Sequence, residues 1–225
     1  MKTVSIILSA LISLFCSCYS SAQTTKEQKP VNTFRVISSS GIDVYYTQKN
    51  GCTLALDTED KVDVKVVNDT LILKCKSDAL RKIGEHKYTT NSGIKAYISA
   101  PSIDAVILSR GADFFAQEIS NPSGFSINAS GGSDVKCEQI RANNCTLQLS
   151  SGSDCEVKQM NVKNLNVIAS GGSDLTANVN DATQINIKAT GGSDVTLTGK
   201  TDSIKVISSG GSDVNVKNLR YQNYF

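Results

Sequence analysis

Residues 131–134 read Gly-Gly-Ser-Asp, and this motif returns at a nearly constant interval through the second half of the chain. Its copies end at five aspartates: Asp134, Asp154, Asp174, Asp194 and Asp213. The intervals between them are 20, 20, 20 and 19 residues, and degenerate copies end at Asp43 and Asp113. A fixed period of this length is the sequence signature of a repeat protein.

Apolar residues alternate with polar ones on both sides of the motif. Val135 and Cys137 follow one copy, while Leu147 and Leu149 precede the next. A period of two predicts strands with one buried face. Because a unit of about 20 residues with short strands cannot enclose a core alone, successive units have to stack. Parallel crossovers are almost always right-handed, so we predict an all-β fold, a right-handed parallel β-helix (β-solenoid) with coils of about 20 residues.

The position two before each motif aspartate is always glycine. The full copies contain Gly132, Gly152, Gly172, Gly192 and Gly211, and the degenerate copies contain Gly41 and Gly111. A position that never carries a β-carbon predicts a tight corner with a positive φ. The neighbouring serine and aspartate side chains are expected to accept hydrogen bonds from N–H groups of their own turn.

The start of the chain has the order of a secretory signal. Residues 1–22 place Lys2 before a short apolar run that ends near Phe15, with small residues up to Ala22. Cleavage after Ala22 and a lipoprotein-type cleavage that leaves Cys18 acylated are both open. We expect residues 31–110 to form an irregular N-terminal half, with an exposed loop at 77–93. Residues 111–225 then form the regular β-helix, closed by a C-terminal cap in which Leu219, Tyr221, Tyr224 and Phe225 cover the last coil.

Composition narrows the function classes. The formal net charge is +2 without a basic stripe, which argues against nucleic acid as a partner. The cysteines beyond residue 22 form no C-x-x-C pair, which argues against zinc. An exported protein would permit one disulfide, between Cys52 and Cys75. The remaining three cysteines lie at apolar repeat positions and are expected to be small buried residues: Cys137, Cys145 and Cys155.

Several segments together resemble a known family. They are Phe34-x-Val36, Gly41-Ile42-Asp43-Val44, Asp69-Thr70-Leu71-Ile72-Leu73, Pro101 and the serial Ser-Gly-x-Ser-Asp turns. The pattern resembles the head GIN domain family, which is named for auto-transporter adhesins, over nearly the whole chain after the signal. The resemblance implies an exported protein of Bacteroidetes-type bacteria with a β-helical fold. It supplies no catalytic or binding residues.

The motif aspartates should form a column along one corner of the helix, from Asp113 to Asp213. Neighbouring carboxylates about 5 Å apart repel each other by about 1 kcal/mol in water, so the column needs compensation. Hydrogen bonding to turn N–H groups and solvent is the favoured explanation. A calcium ladder at Asp134, Asp154, Asp174, Asp194 and Asp213 is the alternative, since carboxylates are hard oxygen ligands. Otherwise no cofactor is expected.

The repeat has no exceptional coil that would mark a catalytic centre. Carboxylates about 5 Å apart have the spacing of a retaining glycosidase pair, but identical coils do not separate an acid from a nucleophile. His86, in the irregular loop, is expected to be solvated. We therefore predict a non-catalytic, adhesin-like protein of the periplasm, outer membrane or cell surface, with a binding or scaffolding role toward a glycan or another envelope protein. A structural spacer and a polysaccharide-cleaving enzyme are the alternatives. Contact with a membrane is expected only through a lipid anchor. The sequence leaves the oligomeric state open.

Overall fold

The computed structural model describes residues 29–31, 33–76 and 93–225. These residues form a nearly all-β structure, about 70% strand, with one 3-10 turn at Glu59–Lys61 and no α-helix among them. The strands are β1 Lys29–Pro30, β2 Val36–Ser40, β3 Asp43–Gln48, β4 Thr53–Leu56, β5 Val62–Val67, β6 Thr70–Cys75, β7 Lys95–Ala100, β8 Ala105–Ser109, β9 Phe114–Asn121, β10 Phe125–Ser130, β11 Val135–Ser150, β12 Cys155–Ser170, β13 Leu175–Thr190, β14 Asp194–Ser209, β15 Asp213–Asn215, β16 Leu219–Arg220 and β17 Asn223–Tyr224.

The long strands β11 to β14 each wrap most of the way around one coil. In β11 the alternation of buried and outward residues is interrupted by two outward pairs, Glu138–Gln139 and Asn143–Asn144. Two consecutive outward residues shift the alternation by one place, so the strand bends there and resumes facing the core. Each coil of this type therefore has three short inward runs and closes at the Gly-Gly-Ser-Asp corner.

Equivalent residues of successive coils lie directly above one another. Val135 pairs with Cys155, Cys155 with Leu175, and Leu175 with Val195, all in parallel register. These side chains are at most 2% exposed and belong to one hydrophobic core that also includes residues of the N-terminal coils. The predicted parallel β-solenoid with coils of about 20 residues is confirmed.

The first coils do not stack in the order of the chain. The coil of β2 and β3 lies between the coil of β6 and β7 and the coil of β8 and β9. From the inner coil of β2 and β3 the chain thus runs outward to form the end coil and then returns past β2 and β3 to β8 and β9. Antiparallel strands cover this end, because β5 pairs with β6 and β4 pairs with β7. The sequence pattern predicts strands here but not this reversal.

A polar seam joins the returning chain to the first coil. Buried Asn121 donates to the Ile103 carbonyl (2.9 Å) and to Asp104 Oδ1 (2.6 Å). Arg35 Nε donates to Asp104 Oδ2 at 2.7 Å, and this bond is the main reason why the pKa of Asp104 lies below its ordinary value. The seam fixes the coil of β2 against the crossover before β8.

At the other end, β15, β16 and β17 pair with β14. Leu219 is buried at 4% exposure, whereas Tyr221, Tyr224 and Phe225 are exposed. The segment predicted to cover the last coil pairs with it through backbone, with Leu219 as its buried side chain and Val214 and Val216 partly buried against the core, whereas the three rings stay exposed. No helix in the described ranges is long and apolar enough to cross a membrane.

Candidate binding surface

Each corner from Arg110 onward contains two consecutive residues in the left-handed region, whereas the corner before Asp43 has only Gly41 there. Gly131 has φ 68° and Gly132 has φ 69°. The first position also accepts Arg110 (φ 58°) and Ser151 (φ 57°), whereas the second is glycine in every motif copy. A β-carbon on Gly132 would meet nothing within 4 Å. The second position thus needs glycine for its backbone conformation and not for lack of space.

A column of buried serines runs through the corners. Ser133, Ser153, Ser173 and Ser193 are fully buried. The Ser153 N–H donates to Ser173 Oγ of the next coil at 3.2 Å, and Ser173 Oγ donates to the Ser170 carbonyl of its own coil at 3.0 Å. Equivalent N–H to Oγ bonds link Ala112 to Ser133, Ser133 to Ser153, Ser173 to Ser193 and Ser193 to Ser212. The serines therefore replace strand pairing where the backbone turns.

The aspartates form a second column, in which each backbone N–H donates to the preceding coil, whereas in the serine column it donates to the following coil. The Asp174 N–H donates back to Asp154 Oδ1 of the preceding coil at 3.2 Å. The same bond joins Asp113 to Asp43, Asp134 to Asp113, Asp154 to Asp134 and Asp194 to Asp174, at 3.0 to 3.3 Å. The bonds run between coils and not within one turn, which differs from the prediction. Each partner N–H helps to offset the charge of the column.

The environment of the aspartates changes along the column. Asp113 is half-buried, and burial raises the pKa of its carboxyl, with Asp43 adding to the effect and the N–H of Asp134 opposing it. Asp154, Asp174, Asp194 and Asp213 are exposed. Across residues 29–31, 33–76 and 93–225, no group of three or more His, Cys, Asp or Glu side chains is arranged to hold a metal ion. One carboxylate per coil, with an oxygen already bonded to an N–H, is a poor calcium cage.

The five described cysteines are free thiols, so the structure contains no Cys52–Cys75 disulfide. Cys137, Cys145 and Cys155 are 2% exposed and occupy apolar positions of the coils, which confirms the prediction that they are buried. Burial raises the pKa of Cys137 and Cys145 to about 12 and that of Cys155 further. These thiols are therefore packing residues. Cys18, His86 and most of the predicted loop lie outside the described residues.

An outward column of aromatic rings, which we call the aromatic column, consists of Tyr97, Tyr45 and Phe115. The Tyr45 ring centroid lies 5.2 Å from that of Tyr97 and 4.8 Å from that of Phe115, with interplanar angles of 22° and 18°. All three are half-buried on the outer face of β7, β3 and β9. Lys95 Nζ lies 5.6 Å from the Tyr45 ring centroid. The column is thus a rigid, partly exposed apolar strip.

In the later coils the same column is polar. Phe115 pairs with Lys136, and the column continues as Glu156, Thr176, Thr196 and Asn215. Sequence reasoning missed the aromatic column. Tyr45 and Phe115 each follow a corner aspartate by two positions, so alignment of the corners would have paired them. Tyr97 has no corner motif before it, since Lys95 stands where the other two coils have an aspartate. Only the reversed order of the coils brings Tyr97 beside Tyr45.

A cleft of about 400 Å³ lies beside the aromatic column and is lined by Tyr46, Thr47, Gln48, Gln117, Glu118 and Ser120. Gln48 fixes its wall, since it accepts from the Ser120 N–H at 2.7 Å and donates to the Ser120 carbonyl at 2.9 Å. Thr47, Gln117 and Glu118 are exposed. The cleft therefore offers hydrogen-bonding groups on a fixed frame.

A second groove, of about 380 Å³, follows the bend between the inward runs of the regular coils. It is lined largely by polar side chains, including Arg141, Asn143, Asn161, Lys163 and Asn180. Asn180 Nδ2 donates to Asn161 Oδ1 at 3.2 Å, and Arg141 forms an ion pair with Glu118. Its amides are thus partly engaged with one another along the stack.

Comparison with known proteins gives a family match. The family model described as "Putative auto-transporter adhesin, head GIN domain" matches residues 34–219. Curated proteins give no match to the chain.

Several solved structures are similar to the chain. One is titled a putative adhesin from Parabacteroides distasonis, with 14% identity, coverage of 89% of this chain and 96% of that chain, and a TM-score of 0.48. A second, titled a putative lipid binding protein from the same organism, has 14% identity, coverage of 90% and 98%, and a TM-score of 0.44. A third, titled a putative adhesin from Parabacteroides merdae, has 12% identity, coverage of 89% and 95%, and a TM-score of 0.39.

Proposed function

The chain belongs to the head GIN domain family, and from this premise we propose that it is a non-catalytic, adhesin-like protein of the cell envelope that binds a surface partner through its outward side chains. The family's name supports an adhesin role. The partner class proposed is a glycan or another envelope protein. Export would follow from residues 1–22, with cleavage after Ala22 or acylation of Cys18.

The observation that carries the proposal is that the inward and outward faces of each coil have different roles. Inward residues pack into one continuous core, and the polar corner residues are used by the serine and aspartate columns. What varies from coil to coil is the outer face, which has aromatic, charged and amide columns. Successive side chains within a column are about 4.8 Å apart, the distance between neighbouring strands. A constant scaffold with a variable outer face is typical of solenoid proteins that bind extended partners.

Adhesion of protein-coated beads tests the role. Beads that carry the protein should attach to bacterial or host-cell surfaces more than beads that carry a heat-unfolded sample. Soluble protein should compete with them in a saturable manner. Equal attachment of both bead types would contradict the proposal and favour a structural spacer without a ligand. Hydrolysis products released from a surface polysaccharide would instead indicate an enzyme.

Fractionation of cells that express the full chain tests localisation. We expect the protein in the envelope fraction, and labelling with a fatty-acid analogue distinguishes the two cleavage routes. Label that disappears in Cys18→Ser supports acylation, whereas mature protein that begins at Gln23 supports cleavage after Ala22. Protein confined to the cytoplasm would contradict the proposed localisation.

A further inference from the structure

We propose that the aromatic column and the cleft beside it form a binding site for a neutral oligosaccharide, an assignment that rests on the surface-binding role proposed above. The site combines Tyr45, Tyr97 and Phe115 with the hydrogen-bonding groups of Thr47 and Gln117. It lies on the outer face of β3, β7 and β9, where the chain order reverses.

The aromatic column is the place where the outer face departs from the repeat. In the later coils the equivalent position carries Lys136, Glu156, Thr176, Thr196 and Asn215. The sequence has 7 Tyr, 6 Phe and no Trp, so aromatic residues are few, and three outward rings lie together in three neighbouring coils. The core does not need these rings, because Tyr46 and Phe114 supply the stacked aromatic pair inside the same strands. An outward ring with no packing role at the core indicates a contact surface.

The chemistry of the site matches a sugar chain. A pyranose ring has one face of C–H groups, which packs on an aromatic strip, and a rim of hydroxyls, which need donors and acceptors. The strip is supplied by the column, and the rim can bond to Thr47, Gln117 and Glu118 in the cleft. Binding sites of this kind join an apolar wall to a few fixed polar groups. Gln48 holds the polar cleft in place, because both of its amide atoms are bonded to the backbone of Ser120.

The charges around the column favour a neutral ligand over an acidic one. Lys95 and Lys136 lie near the carboxylates of Asp43 and Asp113, which precede Tyr45 and Phe115 by two positions on the same face. Glu118 forms an ion pair with Arg141. Each of these cations therefore has a carboxylate neighbour, and the site has no excess of positive charge that would attract an acidic chain. A single-stranded nucleic acid would also stack on aromatic rings, but such sites require a positively charged groove.

The test measures binding of the purified protein to immobilised hexasaccharides of glucose, mannose and N-acetylglucosamine, with a uronic-acid hexasaccharide for comparison. At least one neutral chain should bind better than the acidic one. We expect Phe115→Ala to weaken that binding about tenfold, because loss of one aromatic ring from a binding surface has an effect of this order. Tyr45→Phe should retain it, since the ring remains, and Thr176→Ala, in the same column of a later coil, is the matched control.

If Phe115→Ala also lowers the unfolding midpoint, its loss of binding has a second explanation, so a second variant, Gln117→Ala, changes an exposed residue of the cleft. Gln117→Ala should weaken binding without lowering the unfolding midpoint. A preference for the acidic chain, equal losses in Thr176→Ala and Phe115→Ala, or no loss in Gln117→Ala and Phe115→Ala would overturn the assignment. Beads that adhere to cells while the protein binds none of the neutral hexasaccharides would overturn this inference and leave the proposed function standing. Beads that do not adhere at all would remove the premise of both.

Discussion

At the scale of single residues, the corner explains why the motif contains both serine and aspartate. The two left-handed residues still donate to backbone carbonyls of the next coil, as Ser151 does to Ser170 and Gly152 does to Gly171. The two N–H groups that follow them have side-chain acceptors instead, because a buried N–H group needs a partner. Serine Oγ accepts from the preceding coil and aspartate Oδ1 accepts from the following coil. A motif in which either side chain were missing would leave one N–H per coil without its partner, which accounts for the repetition of both.

Ser173→Ala should lower the free energy of unfolding by about 1–3 kcal/mol, because it leaves the buried Ser153 N–H without an acceptor. It also frees the Ser170 carbonyl from the Ser173 hydroxyl. Denaturant unfolding followed by far-UV circular dichroism measures the change. The exposed Thr176→Ala serves as control and should stay within about 0.5 kcal/mol of the parent. A loss in Ser173→Ala no larger than that of the control would show that the serine column is dispensable.

Asp154→Asn should be at least as stable as the parent, whereas Asp154→Ala should lose about 1 kcal/mol. Asparagine keeps the Oδ1 that accepts from the Asp174 N–H and removes a charge that Asp134 and Asp174 repel. The advantage of asparagine should shrink in high salt because screening weakens the repulsion. Thermal unfolding of the three proteins at low and high salt measures both effects.

The same samples, measured with calcium and with chelator, test the alternative reading of the aspartate column. Calcium that binds only the native state would raise the midpoint. We expect unchanged midpoints, because one carboxylate per coil is a poor calcium cage. A rise with calcium in the parent that disappears in Asp154→Asn would establish a calcium ladder and contradict the hydrogen-bond account.

Gly199→Ala should destabilise the protein far more than Gly132→Ala. Gly199 has φ 105°, and a β-carbon there would lie 2.0 Å from the Val179 carbonyl oxygen, so backbone has to move. At Gly132 the space is open, and alanine meets mainly the cost of a left-handed φ, about 1–2 kcal/mol. Urea unfolding of both variants gives the comparison. Equal losses would show that Gly199 is held by conformation alone.

At the scale of strands, the sequence was most informative where the period is strict. Alternation around Leu147 or Leu165 predicts burial, and the repeat interval predicts parallel register, because equivalent positions must stack. The 19-residue interval before Asp213 also has a structural counterpart, since the register of β13 and β14 shifts between Val179 and Ala182, beside Gly199.

The sequence was least informative between residues 31 and 110. Alternation defines which residues of β6 face inward, but it fails in β5, where Val64 continues the apolar alternation and is exposed. Strand order depends on contacts between distant segments. Nothing local distinguishes a coil that continues the stack from one that folds back to cover it. The antiparallel pairing of β5 with β6 and the juxtaposition of Tyr97 with Tyr45 follow from that order, so the candidate site could not be assembled from the sequence.

Amide hydrogen exchange should reveal a gradient along the stack. β12 and β13 each have parallel partners on both sides, so their amides should exchange only through openings close to global unfolding. In the described part of the chain β5 pairs with β6 alone, and β15 has three residues. Residues 62–67 and 213–215 should therefore exchange first. Uniform protection along the chain would contradict this expectation, as would slower exchange in β5 than in β12.

At the scale of the whole molecule, the repeat makes a coil a removable unit. Deletion of residues 155–174 joins Asp154 to Leu175, which occupies the register position of Cys155. Val135 then meets Leu175, and the corners at 151–154 and 191–194 become neighbours with their serine and aspartate residues in place. We expect a folded protein, shorter by about 4.8 Å, with cooperative unfolding at a reduced midpoint.

Deletion of only residues 155–164 is the matched control, because it removes half of a coil and brings Leu165, a residue of the run before a corner, directly after Asp154. No neighbouring coil then offers the paired strand in register, so we expect loss of the cooperative transition in circular dichroism. The full-coil deletion should also keep binding at the aromatic column, which lies in other coils. If the half-coil deletion were as stable as the full-coil deletion, coil-by-coil stacking would not be the source of the protein's stability, and the outer columns could not be treated as a surface carried on an interchangeable frame.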